Sequence, residues 1–175
     1  GVLVTGMVAD KRGTVVWTGG TDKRVRVFDA ASRRVLMDER VGQINAFLFV
    51  KSKVWSGDET GRITVWHGTR VQRTVEHAAA HRGAVSALAR CREWVLSGGR
   101  DMRVLAWDRR AKQVAWQVQD VGADVVSSIA TLWNPTRAEW QAWIGCWDRA
   151  LYVWQGRALS ECSALTDALT ALSPA

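Results

Sequence analysis

His77 and His81 stand four residues apart, a spacing that on a helix would set two imidazoles on one face for a metal ion. Their surroundings read as a connection between strand-like runs, so no metal ligation is expected from them. Cys91, Cys146 and Cys162 are odd in number, far apart and never arranged as C-x-x-C, which disfavours both a zinc site and a disulfide framework. They read as small buried hydrophobes with reduced thiols, as in an intracellular and most simply cytoplasmic protein. The acidic pairs Asp38-Glu39 and Asp58-Glu59 are sequence neighbours, so neither offers two carboxylates opposed across a scissile bond. The patterns G-x-S-x-G, H-E-x-x-H, the P-loop and G-x-G-x-x-G are absent. His67 reads as a solvent-facing strand end and not as a base. The expectation is a chain without catalytic residues, metal or cofactor, and not an enzyme.

A repeat organises nearly all of the 175 residues. The segments Thr18 to Asp29, Ser56 to His67, Ser97 to Asp108 and Ile144 to Gln155 superimpose without a gap. Glycines 19, 57, 98 and 145 step by 38, 41 and 47 residues, and the aromatics Phe28, Trp66, Trp107 and Trp154 step by the same amounts. Each copy is an apolar run ending in Gly, a polar turn, and a period-2 run, which predicts a β-hairpin. The turn residues Asp22, Thr60-Gly61, Asp101 and Asp148 suit a connection in which Asp or Gly satisfies its own backbone. Strand-like runs precede each hairpin at Val2 to Val8, Ile44 to Val50, Ala84 to Ala89 and Val125 to Trp133, and follow it at Arg33 to Glu39, Gln72 to Glu76, Lys112 to Gln119 and Leu159 to Leu165. The stretch Thr166 to Leu172 fits either a short helix or part of that last strand.

Four strands recurring at about 40 residues, with the third closing in Trp-Asp or a relative, are the pattern of radial propellers. The chain resembles the WD-repeat (WD40) β-propeller family over nearly its whole length. The resemblance implies an all-β fold of four four-stranded blades at 1–41, 42–80, 81–120 and 121–175, the last with a C-terminal tail. It also implies membership of a larger ring of about seven blades, with the further blades in this chain or another, since an open arc leaves apolar blade faces uncovered.

The third repeat carries the fullest signature, and in the family its His81, Ser97, Asp101 and Trp107 would form a buried hydrogen-bonded network tying the blade together. The first repeat has Phe28 and no His, the second has Thr60, and the fourth has Ile144, so packing is expected to compensate there. Eleven tryptophans suit blades that bury both faces. Trp17, Trp55, Trp94 and Trp143 on second strands, and Trp66, Trp107 and Trp154 on third strands, are expected in the core. Trp147, in the turn before Asp148, occupies the position that faces the binding mouth in the family.

Charge is the remaining signal, at net +7 with nineteen of the twenty-four cations being Arg. It suits an acidic protein surface, a nucleic acid or a phosphoinositide, although it also fits coding bias and edge protection. Arg24, Arg62 and Arg103 hold equivalent post-turn positions, and family geometry would gather them with Lys23, Arg82, Arg100, Arg149 and Trp147 on one partner-binding rim. No run of about 18 uncharged apolar residues occurs, so no transmembrane segment is expected. The sequence opens without an initiator Met or a leader pattern, so neither a signal peptide nor a natural start is read from it. The leading expectation is a non-catalytic scaffold that docks proteins within an assembly. Two alternatives are kept. One is the regulatory propeller of a larger enzyme, since Val16-Trp17-Thr18-Gly19 and Val54-Trp55-Ser56-Gly57 look similar to propellers attached to inositol polyphosphate phosphatases. The other is a nucleic-acid or ribonucleoprotein contact through a basic surface.

Overall fold

The computed structural model describes residues 1–75, 81–108, 114–118, 121–155 and 158–161. The stretch 166–172, His77 and Cys162 lie outside them.

Alternating apolar residues and tight turns fold the described residues into sixteen strands and no helix. The first sheet is β1 (Val4–Ala9), β2 (Val15–Gly20), β3 (Arg24–Asp29) and β4 (Val35–Arg40). The second is β5 (Ile44–Val50), β6 (Lys53–Asp58), β7 (Ile63–His67) and β8 (Arg70–Val75). The third is β9 (Val85–Cys91), β10 (Trp94–Gly99), β11 (Val104–Asp108) and β12 (Val114–Val118). The fourth is β13 (Val126–Asn134), β14 (Glu139–Cys146), β15 (Leu151–Gln155) and β16 (Ala158–Glu161). Each sheet is an antiparallel meander in chain order. These are four propeller blades. No described helix is long and apolar enough to cross a membrane.

Two backbone devices repeat in every blade. The hairpin between second and third strands places one residue in the left-handed region, at Lys23, Gly61, Met102 and Arg149, with φ of 61°, 90°, 57° and 69°. The first strand carries a bulge, where pairing skips Thr5, Asn45, Ser86 and Ser127 opposite the Gly-containing end of the second strand. A bulge re-aims a side chain, and here it turns hydroxyls toward the blade junctions. Thr5 donates to the carbonyls of Gly19 and, across the junction, Ile44, while Ser86 does the same to Gly98 and Val126.

The core lies between blades. Trp17, Val25 and Val27 of the first blade pack with Ile44, Val54 and Trp66 of the second. Trp55, Ile63 and Val65 pack with Val85, Leu105 and Trp107. Leu96, Val104 and Ala106 pack with Val126, Ile144 and Trp154. Indole meets indole at two junctions, Trp17 and Trp66 tilted with ring centroids 5.4 Å apart and Trp55 and Trp107 edge-on at 6.4 Å. First strands succeed one another from β1 to β5 to β9 to β13, and among the described residues no comparable packing returns from the fourth blade to the first. The four blades form an open arc.

Two of the seven tryptophans expected in the core are only half-buried. Trp94 begins β10 at the sheet's rim. Trp143 lies on the flank of the fourth blade that no other blade covers.

Candidate functional site

The polar groups of the third blade come from three elements. His81 lies in the connection entering β9, Ser97 on β10, Asp101 in the β10–β11 turn, and Trp107 on β11. Trp107 Nε1 donates to Ser97 Oγ at 2.7 Å, and Ser97 Oγ lies 2.8 Å from His81 Nε2. His81 Nδ1 lies 2.7 Å from Asp101 Oδ1, and the Arg82 N–H donates to Asp101 Oδ2 at 2.9 Å. An indole can only donate, so Ser97 accepts that bond and passes its own hydrogen to Nε2, which leaves the Nδ1 proton for Asp101. Ser–His–Asp is the order of a nucleophile relay, but Ser97 is fully buried and its oxygen is held by the indole. The relay therefore ties strands together.

Burial pushes the Asp101 carboxyl up, yet the His81 hydrogen bond, the Arg82 N–H and the Arg103 charge outweigh it and hold the group below the usual aspartate value. A carboxylate with a depressed folded pKa stabilises the fold above its unfolded pKa of about 4, and that stability is lost as pH falls through the folded value. Chemical denaturation at about pH 5 and about pH 3 is thus expected to show wild type losing more stability on acidification than Asp101→Ala. Equal losses would exclude the assignment.

The other blades meet the same need with different residues. In the second, Trp66 Nε1 donates to Ser56 Oγ at 2.9 Å, but Thr60 holds the turn position of Asp101. Asp58, two residues earlier, organises that turn instead. Its Oδ1 accepts from Thr60 N at 2.8 Å, Thr60 Oγ at 2.7 Å and Arg62 N at 3.0 Å. In the fourth, Asp148 accepts from Ala123 N at 2.8 Å, Ala150 N at 2.9 Å and the Tyr152 hydroxyl at 3.1 Å. In the first, Asp22 pairs with Arg26 at 2.6 Å. Packing is supplemented here by hydrogen bonds that no fixed spacing announces.

Equivalent turns also converge on a cavity of about 680 Å³. Lys23, Glu59, Arg100 and Trp147 surround it, one from each blade, over a floor that includes Asn45, Ser86 and Ser127. Trp147 is 60% exposed, and the Arg100 guanidinium carbon sits 5.9 Å from its ring centroid. Lys23 Nζ is 2.5 Å from Glu59. An open indole beside a guanidinium above hydroxyl and amide groups can hold an extended peptide through apolar contact and a carboxylate through bidentate bonds.

Of the rim residues expected from sequence, the structure brings Lys23, Arg100 and Trp147 onto this mouth. Three others meet carboxylates of their own blades: Arg24 with Asp38 at 2.6 Å, Arg62 with Asp58 at 3.3 Å, and Arg103 with Asp101 at 3.7 Å. Arg82 and Arg149 are exposed and do not line the cavity. The floor residues escaped sequence reading, although each is the polar residue directly after the apolar residue that opens its first strand. A second cavity, of about 470 Å³ between the first two blades, is lined in part by Lys11, Arg12 and Lys51, another convergence no motif announces.

No family model matches the chain. Its fold is similar to those of the RRP9 WD40 repeats (TM-score 0.77, 18% identity, 90% of this chain and 50% of that one) and of U3-55K (TM-score 0.77, 18% identity, 90% and 51%). It is also similar to the computationally designed Ika4 protein (TM-score 0.70, 22% identity, 87% and 91%). The chain thus spans about half the length of the first two and most of the third. At these identities the likeness is one of fold, that of WD40-type propeller blades.

Proposed function

We propose that the chain is a non-catalytic interaction scaffold that docks an acidic protein segment over the mouth formed by Arg100, Trp147 and Lys23, as one component of a multiprotein assembly. The observation carrying this reading is Trp147, a large side chain left open to solvent with a guanidinium against it, over a polar cavity at the meeting point of all four blades. Exposed aromatic and Arg side chains in such settings supply most of an interface's affinity. A peptide array scanning Asp and Glu beside apolar residues is expected to yield binders that Trp147→Ala weakens by about 30-fold and Arg100→Glu by at least as much, the size of a hot spot. Binders unaffected by both variants would reject the mouth.

The second reading, an anionic ligand such as a phosphoinositide headgroup or nucleic acid, is favoured by Lys11, Arg12 and Lys51 around the second cavity. It predicts binding that falls steeply with salt and is lost when those three are reversed in charge.

A further inference from the structure

The cations that follow the second-to-third-strand turns are neutralised by nearby carboxylates, Arg24 by Asp38, Arg62 by Asp58 and Arg103 by Asp101. The opposite ends of the first two blades differ. Lys11 and Arg12, in the β1–β2 turn, and Lys51, in the β5–β6 turn, are exposed and enter no ion pair among the described residues. All three line the second cavity. Asp10, a carboxylate of the same lining, accepts from Thr14 N, Thr14 Oγ1 and Val15 N at 2.7, 2.9 and 3.0 Å, so it closes its own turn. The lip of the cavity is left with an excess of positive charge.

Between these cations the walls are apolar. Val15 and Leu36 come from the first blade, Phe49 and Val54 from the second. These two blades pack on each other within the chain, so the groove belongs to a junction whose two sides are both present. Leu36 is there for a backbone reason. Pairing of β3 with β4 joins Val27 to Met37 and Phe28 to Val35 and skips Leu36. Such a bulge re-aims the skipped side chain. Leu36 thus lines the groove at 51% exposure beside buried Met37. The same skip falls on Gln72 in the second blade and on Ala115 in the third. Of these three blades, the first alone sets a large apolar residue at the bulge, and it stands among unpaired cations.

We propose that this groove docks an acidic peptide segment of a partner protein, which lays one large apolar side chain against Leu36 and Phe49 and sets flanking Asp or Glu on Lys11, Arg12 and Lys51. The cations fix the sign of the ligand, and the apolar walls fix its kind. A phosphoinositide headgroup has no apolar surface to cover Leu36 and Phe49. A nucleic acid gains by stacking bases on open rings, whereas Trp17 in this lining is 4% exposed. A lipid surface is flat, and these residues enclose a recess of about 470 Å³, within the roughly 300 to 1,000 Å³ of sites that enclose a ligand group. The inference rests on the anionic-ligand reading of this cavity and names its occupant. Because the β1–β2 and β5–β6 turns lie at the strand ends opposite the turns of the mouth, one chain can hold two acidic segments at once.

Fluorescence anisotropy tests it on the full chain carrying Trp147→Ala and Arg100→Glu, which silence the mouth. The probes are peptides of mixed Asp and Glu with one central Leu, Met, Phe or Trp, and the same peptides with a central Ser. The apolar-centred set is expected to bind at least about 10-fold more tightly than the Ser-centred set. That advantage is expected to vanish in Leu36→Asp and in Leu36→Gln, the second of which installs the residue type the second blade carries at its bulge, with circular dichroism unchanged in both. Combined Lys11→Glu, Arg12→Glu and Lys51→Glu is expected to abolish binding of both sets. Equal binding of the two sets, or indifference to both Leu36 variants, would overturn the apolar anchor and leave the anionic-ligand reading standing. So would a soluble inositol trisphosphate or a single-stranded oligonucleotide that binds more tightly than any peptide and ignores Leu36. Binding of every probe unchanged by the triple charge reversal would sink both readings.

Discussion

Asp101→Ala is expected to lower Tm by roughly 6 to 12 °C, corresponding to about 3 kcal/mol in a chain of this size. The magnitude comes from what the substitution leaves behind. His81 is buried, with its Nδ1 aimed at the missing carboxylate, and the Arg82 N–H loses its acceptor as well. An orphaned buried donor costs about 1 to 3 kcal/mol, which falls in full on His81, whereas the Arg82 N–H is exposed and can turn to water. Asp22→Ala, at the matching turn of the first blade, is expected to shift Tm several-fold less, because Asp22 and Arg26 are both reached by solvent and Arg26 keeps Asp38. Asp101→Asn should fall between, since its amide oxygen still accepts from His81 while its NH₂ opposes the Arg82 N–H. Scanning calorimetry on the three variants decides the matter, and equal shifts for Asp101→Ala and Asp22→Ala would show that the third blade draws no special stability from the network.

The network could be read from sequence because its members sit at fixed offsets, with His81, Ser97, Asp101 and Trp107 each implied by the WD-repeat pattern. The substitutes in other blades could not be read. Asp58 serves its turn from two residues too early, and Tyr152 reaches Asp148 from the following strand. The same limit applies to the rim. Arg24, Arg62, Arg103 and their neighbours align in sequence as one cationic set, but whether a guanidinium stays open depends on carboxylates such as Asp38, which reaches Arg24 from a strand fourteen residues away. The repeat alignment marks Trp143 as core-facing, yet it is half-buried, because periodicity within a strand carries no information about what lies across the flank.

Gly61 shows how far local turn chemistry falls short of the whole effect. A Gly in a hairpin turn predicts a left-handed residue, and φ is 90°, but Lys23, Met102 and Arg149 hold the same position with side chains, so the conformation alone does not require glycine. The requirement comes from the neighbouring blade. A Cβ on Gly61 would run into the His81 carbonyl, standing 2.8 Å from its carbon, and would lie 2.9 Å from Gly83 O. The Gly61 carbonyl in turn accepts from the His81 N–H at 3.3 Å. The chain entering the third blade is thus laid directly on this turn, and displacing it moves His81 out of line with Ser97 and Asp101. Gly61→Ala is expected to cost about 3 kcal/mol or more, joining overpacking to left-handed strain. Gly13→Ala is the control, because Gly13 has φ of 68° and nothing within 4 Å of the added Cβ, so it reports the strain alone, about 1 kcal/mol. Denaturant titration of both variants separates the contributions. Matching losses would mean that the His81 segment yields freely, whereas a deficit confined to Gly61→Ala, and diminished when Asp101 is already alanine, would show that turn and network act as one unit.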